Sequence, residues 1–183
     1  DNVDLSNIHR QSLYNIDDLH KPKTKAAQRK LKKINSRTKV YSHKIRLNKN
    51  NYSKIVKKYD YIVDGTDNFK TKFLINDICK KSKKFLVTGA ISKFDGHIFC
   101  FDFNKRNSTC LRDFYQEEVI TDDILNCEYD GILGTVAGIV GIMLANEVLK
   151  KILKVGKDLS GFIIILDLLN LGLRKVKINK RIK

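Results

Sequence analysis

Tyr61-Ile62-Val63-Asp64-Gly65-Thr66-Asp67-Asn68 is the stretch that decides the fold. A short apolar run ends in a loop of short polar side chains. From about residue 69 to residue 80, Phe69, Phe73 and Ile78 fall on one side of a helix, and a second apolar run follows at 85–87. Strand, loop, helix and strand in this order predict an α/β fold with a parallel sheet. Asp64 and Asp67 then sit at the carboxyl end of a buried strand, where open α/β sheets bind ligands. Hard carboxylate oxygens suit Mg²⁺, which takes one or two of them together with substrate phosphates. The alternative is that Asp64 ties down the loop and Asp67 caps the next helix. The residues alone leave both readings open.

Downstream, residues 96–103 read as a strand paired with a neighbour near 87–93. The polar segment 104–126 is long for a structureless loop and is expected to be a functional crossover or lid. Residues 131–145 carry no charge, but 15 residues fall short of the roughly 20 that a membrane span needs. A buried core helix over about 133–153 is expected, with Gly134 and Gly138 letting another backbone approach closely. Residues 162–166 and 173–178 flank a turn and read as a closing hairpin. Upstream, 40–47 reads as extended and 52–59 as a short helix. Pro22 stands where a helix can begin, and Ala26, Ala27, Leu31 and Ile34 follow at helical spacing. Residues 1–3 read as the exit of a strand, and 6–11 as a polar turn or short helix.

The 183 residues suffice for one domain with a real core, and 42% hydrophobic with 31% charged is globular composition. No repeat and no second domain stand out, so 1–183 is expected to be a single domain. The first residue is Asp1 and the only methionine is Met143, so the chain is expected to be a fragment or processed product. The net charge of +16 has two readings: an acidic partner, or A/T-rich coding that favours lysine, asparagine and isoleucine. Aromatics are not interleaved with the lysines as in a nucleic-acid stacking platform. Cysteines at 79, 100, 110 and 127 form no C-x-x-C pair and read as reduced thiols.

Three more groups could carry chemistry. Asn7, Arg10 and Gln11 place an amide, a guanidinium and a second amide within five residues, a set able to hold phosphate oxygens. Lys23 adds a point charge at a helix start that already favours anions. Cys127 stands just before the glycine-rich helix start, where a thiol can become reactive; as a buried filler it would be inert. The four histidines show no metal spacing.

Together these pieces resemble one family, that of ThiF, MoeB and HesA, the sulfur-carrier adenylyltransferases related to ubiquitin-activating enzymes. Asp1-Asn2-Val3-Asp4-Leu5-Ser6-Asn7-Ile8-His9-Arg10-Gln11 is similar to its D-x-V-x-x-S-N-L-x-R-Q signature, and Lys21-Pro22-Lys23 to its G-x-P-K lysine. Asp64-Gly65-Thr66-Asp67-Asn68 resembles D-[CG]-T-D-N, and Leu74-Ile75-Asn76-Asp77-Ile78-Cys79 resembles L-I-N-D-A-C. Residues 89–101 and 127–134 resemble two further segments, the second being C-x-x-x-G-V-L-G.

The resemblance implies a Rossmann-like adenylation domain in which a parallel sheet is followed by antiparallel strands. It implies ATP and Mg²⁺, with Asp67 on the metal and Asn68 beside it. Asn7, Arg10 and Lys23 would be on the phosphates, with Gln11 in support. It implies covalent chemistry at Cys127 in some relatives, a ubiquitin-like sulfur-carrier partner, and a homodimer. The setting would be a cytoplasm or an organelle such as a plastid, with no membrane and no nucleic acid. The family's glycine-rich nucleotide loop and ribose-binding acid lie upstream of the signature and have no counterpart in this chain. That leaves open a non-catalytic relative that scaffolds the carrier. Asp113 replaces the second cysteine of the relatives' first zinc pair, Cys110-Leu111-Arg112-Asp113, so no zinc is expected.

Overall fold

The computed structural model describes residues 1–115 and 132–181, which divide into two units, Asp1–Arg46 and Leu47–Lys183. In Asp1–Arg46 the chain runs through α1 (Leu5–Ile8), a 3₁₀ turn (Ile16–Asp18) and α2 (Lys23–Ile34). Asp4 caps α1 by accepting from the Ser6 backbone N–H at 2.8 Å. Asn2 bridges Pro22, and the Val3 N–H donates to Lys21, so residues 1–3 run extended beside the start of α2. Pro22 stands at the cap position of α2, where a missing N–H costs nothing. Lys32 and Lys33 in its last turn complement the negative end of the helix.

This unit has little apolar core, chiefly Val3 and Ala26. Its deepest side chain is Asp18, fully buried and ion-paired with Arg29 and Lys30 of α2. The expected extended segment at 40–47 joins no strand ladder. The amide of Gln28 holds it, donating to the Val40 carbonyl and accepting from the Ser42 hydroxyl.

The second unit is built on a five-stranded sheet. Its elements are α3 (Tyr52–Val56), β1 (Tyr61–Asp64), α4 (Phe69–Lys81), β2 (Phe85–Ser92), β3 (Asp95–Asp102), α5 (Leu111–Phe114), α6 (Gly134–Leu153), β4 (Phe162–Asp167) and β5 (Gly172–Lys177). The strands lie in sequence order. β1 and β2 are parallel, joined by α4, and the remaining pairings are antiparallel. The strand–helix–strand unit and both hairpins therefore stand as the sequence predicts. The sheet is mixed, with parallel pairing confined to β1–β2.

Alternation along the strands separates two cores. Leu86, Phe99, Phe101 and Ile163 face Phe73, Ile75 and Cys79 of α4 and Leu111 of α5. Phe85, Val87, Ile98, Cys100, Ile164 and Leu166 face Val136, Val140 and Leu144 of α6. Covering both faces explains why β2 and β3 read as continuous apolar runs.

Two expectations change here. The charge-free helix is not buried all round: one stripe is, while Ile142 is 72% exposed and Leu149 and Leu153 also face solvent. Close approach to this helix comes from glycines of the sheet, not from Gly138, whose Cβ position meets nothing within 4 Å. A Cβ on Gly96 would lie 2.5 Å from Val140 Cγ2, and one on Gly89 would lie 3.0 Å from both Val140 and Leu144. Among the described residues no helix is long and apolar enough to cross a membrane.

Candidate active site

The loop after β1 holds two aspartates in opposite situations. Asp64 is 2% exposed. Its Oδ1 accepts from the Thr66 N–H at 2.9 Å and the Thr66 hydroxyl at 2.7 Å. Its Oδ2 accepts from the Thr88 hydroxyl at 2.7 Å and from Lys72 at 3.4 Å. A carboxylate offers about four acceptor positions, and all of Asp64's are taken. Asp67 is exposed and forms no ion pair among the described residues; it accepts only from the Asn68 side-chain amide, at 3.3 Å. Helix capping falls to Asn68, whose carbonyl oxygen accepts from the Thr71 N–H at 2.9 Å. Asp67 therefore stands free just outside the N-terminus of α4, whose dipole favours a negative charge there.

Lys72 is the residue that sequence reasoning missed. It is 3% exposed, on the inward face of α4, and also donates to the Gly89 carbonyl at 2.5 Å and the Thr88 hydroxyl at 3.5 Å. Burial pushes its pKa below the ordinary lysine value, while Asp64 and, more weakly, Asp67 pull it back up. The signal was present: Lys72 interrupts the stripe Phe69, Phe73, Asn76 and Cys79 at helical phase, and a charge in such a stripe demands a partner.

In Asp1–Arg46, the sequence-predicted phosphate group is one hydrogen-bonded cluster. The Asn7 carbonyl oxygen accepts from Arg10 Nη2 at 2.9 Å and from Gln11 Nε2 at 3.4 Å. Arg10 Nη1 donates to the Ser6 carbonyl at 3.0 Å. The guanidinium is thus oriented by its neighbours while keeping further N–H donors, since it carries five. Gln11 Oε1 is buried with no partner among the described residues. Lys23 pairs with Asp1 at 2.6 Å, and its ammonium keeps donors beyond that one.

These donor sets can be tested against the groups the resemblance implies. Mg²⁺ bound by a single protein carboxylate, its shell completed by phosphates and water, fits Asp67 and does not fit the saturated Asp64. Among the described residues no cluster of three or more His, Cys, Asp or Glu could hold a metal by itself. Asp113 is engaged instead by the N–H groups of Cys110 and Arg181. The thiols of Cys79 and Cys100 are pushed up to about 12, by burial first and neighbouring carboxylates second, which leaves them inert at neutral pH. Cys127 lies outside the described residues, as do residues 116–126 of the segment read as a crossover. Its described beginning is anchored to α4: the Leu111 N–H donates to buried Asn76, and Arg112 grips Asp77 in two hydrogen bonds.

A mixed sheet with helices on both faces, and an acidic loop at the carboxyl end of a parallel strand, defines an α/β domain. The chain belongs to the ThiF family, which it matches over residues 1–183. It is 34% identical over 183 residues to the sulfur carrier protein adenylyltransferase of Thermus thermophilus, covering 98% of this chain and 68% of that protein. It is 36% identical over 178 residues to the probable molybdopterin-synthase adenylyltransferase of Gracilaria tenuistipitata, covering 97% of this chain and 49% of that one. Among solved structures, E. coli MccB with ATP superposes with a TM-score of 0.79 at 21% identity, over 99% of this chain and 54% of that one. That likeness speaks for the fold. The chain thus spans about half to two thirds of the length of these proteins.

Proposed function

We propose that this chain is part of an ATP-dependent adenylyltransferase. It would activate the C-terminal glycine carboxylate of a ubiquitin-like sulfur carrier serving molybdopterin or thiamine biosynthesis. In this reading residues 1–183 belong to one adenylation domain, working as a homodimer in a cytoplasm or an organelle such as a plastid. The observation that carries it is the division of labour after β1: Asp64 is sealed into the fold, and Asp67 is left exposed with no ion pair among the described residues, in a chain of this family.

The reaction forms a bond between a carrier carboxylate oxygen and the α-phosphorus of ATP and breaks the bond to pyrophosphate. Negative charge builds on the phosphates as it proceeds. Arg10, held in orientation by Asn7, and the Lys23 ammonium supply fixed positive donors for that charge, and Gln11 braces Asn7. Asp67 would hold the metal, with Asn68 fixing the turn beside it. Bound Mg²⁺ would neutralise phosphate charge and polarise the α-phosphate. Donors of this kind lower the barrier because they are aimed before charge develops, and removing one costs about 10²–10³ in rate. For Cys127 two readings stand side by side: covalent chemistry with the carrier, as in some relatives, or an inert filler thiol.

The test is carrier-dependent ATP–pyrophosphate exchange by the full-length protein. We expect exchange that requires the carrier's terminal glycine and disappears in Asp67→Ala. A folded protein that binds the carrier but catalyses no exchange would make it a scaffold.

A further inference from the structure

Lys72 is the only buried lysine among the described residues, and the adenylation chemistry above does not use it. An ammonium taken out of water is costly unless paired and hydrogen-bonded, so its place needs a reason. Its three described partners lie on two strands: Asp64 at the end of β1, and Thr88 and Gly89 in β2. Lys72 itself lies in the first turns of α4. It thus ties together the helix and both parallel strands at the point where the loop of residues 65–68 leaves the sheet.

That loop is fixed at both ends and free in the middle. At its start, Asp64 Oδ1 holds the N–H and hydroxyl of Thr66, while Oδ2 is held by Thr88 and Lys72. At its end, Asn68 caps α4. Between these anchors Gly65 meets no neighbour within 4 Å of its Cβ position, and Asp67 is exposed. Where Asp67 is presented therefore depends on Asp64 staying fixed, and Lys72 is the cation that pairs with it and ties it to β2.

We infer that Lys72 is the positioning residue of this site, acting through Asp64 to set where Asp67 is offered to the metal of a metal–nucleotide substrate. The inference rests on the functional reading above. Groups behind metal ligands typically govern affinity about 10–100-fold.

The experiment uses the full-length protein with Lys72→Met, Lys72→Arg and the double variant Asp64→Asn/Lys72→Met. Three quantities are read: deuterium uptake at residues 65–68, Mn²⁺ affinity in the presence of ATP by electron paramagnetic resonance, and the Mg²⁺ concentration that half-saturates exchange. Lys72→Met is expected to raise uptake at 65–68 ahead of the rest of the sheet. It should weaken Mn²⁺ binding and raise the Mg²⁺ requirement by about 10–100-fold, with much of the maximal rate regained at high Mg²⁺. Lys72→Arg should restore most of the affinity. The double variant removes both buried charges and should regain thermal stability without regaining metal affinity.

If metal affinity recovers along with stability in the double variant, or never changes in Lys72→Met, Lys72 is a structural ion-pair partner and the inference is overturned. Wild-type protein that binds no Mn²⁺ with ATP would overturn the functional reading and this inference together. Normal wild-type binding matched by Lys72→Met overturns this inference alone.

Discussion

Among the described residues Asp18 and Asp64 are the most deeply buried aspartates, one in each unit, and the two are neutralised in different ways. Asp18 of Asp1–Arg46 is met by Arg29 and Lys30, whose side chains are 49% and 25% exposed and reach in from the surface. Asp64 of Leu47–Lys183 is met by Lys72, itself sealed in at 4%. In the first case the cations keep their water and the carboxylate alone is desolvated, a surface solution that a unit with little apolar core can support. In the second, both charges sit between a sheet and a helix, and each depends on the other. A buried pair of this kind is weak evidence for added stability, but breaking it is expensive. It is a device for holding a loop in one place, and the loop it holds carries Asp67.

This contrast is open to attack by substitution. Lys72→Met should destabilise the protein by about 3–5 kcal/mol, because it strands a buried carboxylate; chemical denaturation reads this, and a cost below about 1 kcal/mol would erase the distinction between the pairs. Gly96→Ala should cost about 1–3 kcal/mol, because the added methyl is driven into Val140, and its melting temperature should fall without a change in metal affinity. Arg29→Ala should cost no more than about 1 kcal/mol, since Arg29 is half exposed and Lys30 remains on Asp18. A loss as large as that of Lys72→Met would make the two pairs equivalent.

Acid should act on the same contrast. The hydrogen bond from Lys30, with Arg29 and the Asn15 N–H beside it, holds the Asp18 carboxyl below the usual carboxylate range despite burial. Its folded pKa lies below the unfolded value of about 3.9, so its contribution is complete above that pH and is lost as pH falls through the folded pKa. Amide exchange within residues 1–46, followed from pH 5 to pH 2, should accelerate below about pH 4, and Asp18→Asn should flatten that dependence. An unchanged profile in Asp18→Asn would remove Asp18 as the acid-sensitive group.

The strand, helix and strand around Asp64 were legible because their periodicities differ sharply and the loop between them is polar. Both hairpins were legible from apolar runs bounded by turn residues. Asn7, Arg10 and Gln11 were singled out as a group, and they do hydrogen-bond to one another. The one-sided burial of α6 was not legible, because an apolar helix with Ile142 in solvent has the same composition as one buried all round. Lys72 was lost among many lysines: its phase on α4 marks it, but phase shows which way a residue faces and not what waits for it there. The partner at Gly89 depends on the register of β2 beside β1, which no local pattern encodes. The roles of the two aspartates stayed open for a related reason, since only the Thr88 hydroxyl across the sheet shows that Asp64 is already saturated.

The most direct test is a paired measurement on Asp64→Asn and Asp67→Asn in the full-length protein, following melting temperature and carrier-dependent ATP–pyrophosphate exchange together. The account predicts that Asp67→Asn melts like wild type and loses exchange by about 10²–10³ or more, while Asp64→Asn melts clearly lower. An Asp67→Asn variant that exchanges normally, or one that unfolds while Asp64→Asn stays intact, would contradict it.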